Sequence, residues 1–372
     1  MNTGLIDSYT LLREVCGSAG ASPSRSLDVL MLLLDRRTWI SSLAALPVVA
    51  VGQSPPPTLD LHVHLFGTGD SGSGCRLSDG IQNGVQFRAL TIALNIRSKG
   101  KTLDEGYATV LAEQVNVSGL TKCAILGQDA VYESNGEPNW ARTSFYTPND
   151  YVFKVTAQHA TMIPCPSINP MRKDAIEELD RIHARNAKLF KIHPPTQGVN
   201  VADPKHTKFY RRCAELKVVI MVHTGHEHSA PVIDKDLANP ARLELMLEQG
   251  ATVVACHAGT GWTSDTPDQL PAFASLLKRY PKLWGDTSVL GTAGRVRDFY
   301  RLLDDPLLRD RLLHGSDFPF PVSPNAYSER ISKERIAELA KLKSWIAKDS
   351  QLKQALGIGQ VSAERAWKVV LG

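Results

Sequence analysis

The chain has 372 residues, 43% of them hydrophobic, and 42 basic against 38 acidic side chains give a formal charge of +4. That is long enough for one large domain or two modest ones and apolar enough for a buried core, so a disordered chain is excluded. The small charge is not gathered into a basic stripe, which makes nucleic acid a poor partner, and the six cysteines form no CxxC pair, which argues against a zinc knuckle or a disulfide framework.

Residues 1–57 differ from the rest and read as an N-terminal extension. Arg36 and Arg37 precede an apolar run from Trp39 to Val51, which ends in the breaker Pro55-Pro56-Pro57. That order resembles a twin-arginine export signal over residues 31–53, with Met31 as the natural start of translation. Export would place the protein in the periplasm or beyond. The other reading is an amphipathic helix and linker packed outside the domain of a cytoplasmic protein. Either way the apolar run is too short for a stable membrane span.

From Thr58 onward, short apolar runs alternate with helical patterns. The runs cover residues 58–65, 121–127, 161–168, 187–193, 216–223, 251–257, 282–290 and 311–317. Eight is the number that closes a parallel barrel, and near-continuous apolar character suits strands covered on both faces. Segments between them, such as DAIEELDRIHAR, carry apolar residues at helical spacing and acidic residues in the first turn. The predicted fold class is therefore α/β, a (β/α)8 barrel over residues 58–372 with C-terminal helices from about Ile331 that pack on its outside or against one end. An open doubly wound sheet is the rival. Gly67, Gly69 and Gly72 match G-x-G-x-x-G after the first run, but a polar, glycine-broken stretch follows instead of an apolar helix, so nucleotide binding is not expected.

The polar residues sit where these runs stop. His62 and His64 alternate with Val63 at the end of the first run, so a period of two turns both imidazoles to one side. Lys191 and His193 repeat the spacing in the fourth run, His223 ends the fifth, His257 the sixth and Asp317 the eighth. Such groups are costly in a core and are what the carboxyl-terminal mouth of a catalytic barrel requires. His62, His64, His223 and Asp317 form a donor set that suits a divalent metal, zinc first and also manganese, iron or cobalt. Asp317 is placed to take a proton from an activated water, and His257 to hydrogen-bond an oxyanion or a leaving group. His226, Glu227 and His228 follow the fifth run and are candidates for substrate contact, as is His193; a solvated polar loop is the competing reading.

DLHVH, FKIHPP, MVHTG, CHAG and HGSDFP, in this order, resemble the amidohydrolase superfamily, specifically its amidohydrolase-related, metal-dependent TIM-barrel branch, over residues 58–322. The resemblance implies His62 and His64 as first-strand metal ligands, His223 as the fifth-strand ligand and Asp317 as the eighth-strand ligand. It implies a catalytic role for His257 in a one-metal site and a ligand role in a two-metal site. Lys191 stands where some relatives carboxylate a lysine to bridge two metals; a free ammonium that binds a substrate carboxylate is the alternative, and one metal is expected. The branch resembles both hydrolases and non-oxidative decarboxylases, so the expected activity is hydrolysis of a small, carboxylated molecule through a metal-activated water, with a carboxy-lyase acting on an aromatic or unsaturated acid as the alternative. The partner is a small-molecule substrate, and room remains for a homo-oligomer.

Overall fold

The structure is a computed structural model and describes residues 55–227, 229–261 and 267–372. The export-like segment and His228 lie outside them. Eight parallel strands follow in chain order: β1 Leu59–His64, β2 Lys122–Leu126, β3 Met162–Cys165, β4 Leu189–Ile192, β5 Val219–His223, β6 Val253–Cys256, β7 Leu283–Asp286 and β8 Leu312–Leu313. Each falls inside one of the eight predicted runs. They pair as β1-β2-β3 and as β4-β5-β6-β7-β8. Two seams join these sheets: a parallel bridge between Ser167 and Lys191, and another between Val63 and Phe318. At the second seam Leu61 N donates to His314 O at 3.0 Å and Asp317 N to His62 O at 2.9 Å, which ties the chain after β8 to β1. The (β/α)8 reading holds.

The barrel interior is apolar, with Leu59, Leu61, Val219, Met221 and Leu313 packed on one another. The last helix, Gly359–Leu371, closes this interior by laying Ala366 and Val370 against it, beside β1 and β8. The tail thus covers one end of the barrel, which is one of the two placements its sequence allowed. Around the wall, helices such as Leu103–Asn116 and Ala175–Ala184 bury one face each. The first is started by a capping box in which Thr102 and Glu105 exchange side-chain and backbone bonds. No helix among the described residues is long and apolar enough to cross a membrane.

One irregularity matters for the site. The register of β1 against β2 shifts between Asp60 and Val63. Leu59 and Leu61 fill the barrel interior, whereas Val63 and Leu65 pack on the other side of the wall, with the helices. The bulge therefore reverses the alternation. His62 and His64 turn into the mouth, and Asp60 stays on the opposite side.

Candidate metal centre

His62 stands at the centre of the site. Its Nδ1 lies 2.8 Å from Asp286 Oδ2, at the end of β7, and both side chains are fully buried. An ionised carboxylate can only accept, so Nδ1 carries the proton and Nε2 presents its lone pair to the mouth. There Asp317 Oδ1 lies 3.3 Å away and Lys191 Nζ donates from 3.1 Å. His64 Nε2 is 3.0 Å from the same Asp317 oxygen. The other oxygen of Asp317 faces His257 Nδ1 at 3.8 Å. One ligand atom each from His62, His257 and Asp317 lies within 4.8 Å of the others.

The backbone is bent to achieve this. Asp317 has φ 64° and His257 φ 62°, left-handed values that non-glycine residues adopt only when their surroundings hold them there. Gly315 is needed for a different reason. A Cβ at this position would lie 2.8 Å from the Cβ of His62, so only glycine lets the chain after β8 pass so close to β1.

His223 sits one ring further along. His257 Nδ1 faces the carbonyl of Ser288 at 3.2 Å and so carries its proton there; His257 Nε2 then accepts from His223 Nδ1 at 3.2 Å. This chain of bonds leaves the lone pair on His223 Nε2, which is buried and has no partner among the described residues. His223 also belongs to a second group with His193 and Glu227: the His193 and His223 rings stack at 3.9 Å, and His193 Nε2 meets Glu227 Oε2 at 3.1 Å. Of the four predicted ligands, then, His62, His64 and Asp317 converge directly, and His223 is brought alongside through His257. Lys191 is buried, its amine donating to His62 and, at 3.0 Å, to Cys256 Sγ. His226 lies on the loop after β5, where its carbonyl accepts from Arg295 at 3.2 Å.

Electrostatics suit a cation. Burial, reinforced by Lys191, pulls the pKa of His62 down to about 3. Burial likewise lowers His193, His223 and His257, so these imidazoles are neutral at pH 7. Burial works against the charge of Asp317, but His62, His64 and His257 outweigh it and hold the carboxyl well below the usual range. Asp286 is held low in the same way by His62. Neutral imidazole nitrogens, one ionised carboxylate and an orphaned buried Nε2 are the donors a divalent metal takes, so the residues present fit the group.

Sequence reasoning passed over Asp286. It lies inside the seventh predicted run, in WGDTS, and only the structure shows that the strand itself stops there, at the same kind of position as the other residues. Asp286 Oδ1 also accepts from His257 N at 2.8 Å and Ser288 N at 3.1 Å, so it orients two histidines at once.

Residues 118–357, from just before β2 to beyond β8, match the amidohydrolase family profile. The chain belongs to the amidohydrolase family. Lys191, His193, His223, His257 and Asp317 lie inside the matched region, whereas β1 with His62 and His64 precedes it. Among curated proteins none matches the sequence. An uncharacterized TIM-barrel protein from Bordetella bronchiseptica has a similar structure, with a TM-score of 0.53 and 17% identity over 84% of this chain and 99% of its own. A provisionally assigned 2-pyrone-4,6-dicarboxylic acid hydrolase from Pseudomonas putida scores 0.48 at 16% identity over 85% of this chain and 98% of its own. The 5-carboxyvanillate decarboxylase of Sphingomonas paucimobilis scores 0.46 at 11% identity over 84% and 99%. The likeness to the first is one of fold, which agrees with the barrel of this amidohydrolase; the other two bear on no reaction.

Proposed function

We propose that this amidohydrolase is a metal-dependent hydrolase of a small, carboxylated substrate. The observation that supports this best is the convergence of His62, His64 and Asp317 at 3.0 and 3.3 Å from the ends of β1 and β8, with His257 beside them. His62, His64 and Asp317 would hold the metal, with His223 offering its free Nε2. Zinc fits these donors best, and manganese, iron or cobalt also fit. A bound divalent metal supplies Lewis acidity, which lowers the pKa of a water towards about 7 and polarises a carbonyl.

The protein's own groups do the rest. Asp317, ionised and held at a fixed angle, accepts the proton of the attacking water. His257 Nδ1 carries a proton and lies 3.8 Å from Asp317 Oδ2, at the edge of the same space, so it can hand that proton to the leaving group. Lys191 brings positive charge to the same space, where it attracts a substrate carboxylate, and His193, His226 and, from its place in the sequence, His228 are read as substrate contacts. The test is a screen of lactones, amides and carboxylated aromatics in which acid release and CO2 release are read separately. Acid without CO2 is expected. CO2 as the only product would replace the hydrolase by a carboxy-lyase.

A further inference from the structure

We propose that Lys353 and Asp60 are positioning residues for Asp317, which they serve by gripping the Gly315–Ser316 peptide from its two sides. This rests on the reading of Asp317 as a metal ligand. Lys353 Nζ donates to the carbonyl of Gly315 at 2.6 Å, and Asp60 Oδ1 accepts from the amide of Ser316 at 3.0 Å. The two groups belong to one peptide unit, whose plane is thereby fixed one residue ahead of the left-handed Asp317. The same Asp60 oxygen accepts from His62 N at 3.0 Å, inside the β1 bulge. A single carboxylate oxygen therefore links the backbone that carries His62 to the backbone that carries Asp317.

The arrangement is costly for mere packing. Lys353 lies on the helix Trp345–Ala355, outside the barrel, and is fully buried. Its ion partner is Asp349, one turn earlier and equally enclosed. A Cβ on Gly291 would collide with Asp349 Oδ1, so the chain after β7 leaves room for this carboxylate. Burial pushes Asp349 up to about 7 and Asp60 up to about 6 in spite of Lys353. Well-packed apolar residues would serve stability as well or better. What they could not supply is a donor to the Gly315 carbonyl. A left-handed aspartate persists only where its surroundings over-determine it, and this grip is such a surrounding.

The experiment uses the full chain with cobalt as the probe. In Lys353→Met/Asp349→Leu both buried charges are replaced by apolar groups, so the fold is retained, while the Gly315 carbonyl loses its donor. We expect the cobalt dissociation constant to rise at least tenfold, the visible cobalt band to shift, and amide exchange at Ser316 and Asp317 to accelerate at least tenfold, with an unchanged circular dichroism spectrum. If the double variant precipitates, Lys353→Met alone, in which Asp349 takes up a proton, gives the same comparison. Wild-type affinity, band and exchange in the folded variant would overturn the grip alone. A wild-type protein that takes up no cobalt would overturn the metal reading and the grip with it.

Discussion

Replacing Asp286 by Asn exchanges one carboxylate oxygen for an NH2 group and should disable the buried histidine in front of it. In the native site Oδ1 accepts from His257 N, Ser288 N and the Ser288 hydroxyl, while Oδ2 faces His62 Nδ1 at 2.8 Å. Asparagine has one oxygen, and the three donors around Oδ1 claim it. Its NH2 group then points at His62 Nδ1–H, donor against donor. The imidazole escapes by moving its proton to Nε2, so that Nδ1 can accept, and the lone pair that would bind metal is lost. Removing such a carboxylate behind a metal-binding histidine costs about 10- to 100-fold in affinity, or roughly 1.4–2.7 kcal/mol. Zinc affinity measured by competition with a chromophoric chelator should fall by that factor, and turnover with it, while the thermal transition of the metal-free protein changes little. Native affinity and turnover in Asp286→Asn would refute the tautomer argument, because no other arrangement of these donors leaves Nε2 free.

Two further outcomes follow from the same geometry. His257→Ala should lower turnover by about 10²- to 10⁴-fold, as expected for loss of a proton-transfer group, while retaining its metal; loss of half the metal would make His257 a ligand of a second ion. His314 is fully buried, neither ring nitrogen has a partner among the described residues, and burial holds its pKa well below the ordinary value. As the pH falls below about 6.5 the unfolded chain gains a proton there that the folded chain cannot accept, so stability is lost. His314→Leu should therefore stabilise the fold, by about 1–3 kcal/mol from the removed unpaired nitrogens alone, and the resulting rise in the thermal transition should be larger at pH 5 than at pH 8. An equal or smaller gain at pH 5 would contradict it.

The barrel was legible because each strand is a short apolar run and the mouth residues stand where those runs end. His62 and His64 could be read from their spacing, and Asp317 from its place after the eighth run. Asp60 shows the limit of that reasoning. Strict alternation would set it on the same side as His62 and His64, but the bulge inserts a residue, and nothing in DLHVH marks where the register shifts. Asp286 was hidden for a related cause: its role depends on a contact 224 positions away in the chain, which no local pattern encodes. Lys353 and Asp349 sit at helical spacing with other polar residues and look like a solvated pair, yet tertiary packing buries both. His223 shows a subtler effect, since its lone pair is directed by His257 and Ser288, groups on two other strand ends.

If His62, His64 and Asp317 hold a divalent metal, as proposed, the ion can be located. Anomalous diffraction at the zinc edge, from crystals grown with zinc, tests it directly. One strong peak is expected about 2.0–2.2 Å from His62 Nε2, His64 Nε2 and an oxygen of Asp317, with the His223 ring turned to bring its Nε2 into the same shell. A peak held instead among His193, His223 and Glu227, or no peak near β1, would contradict it.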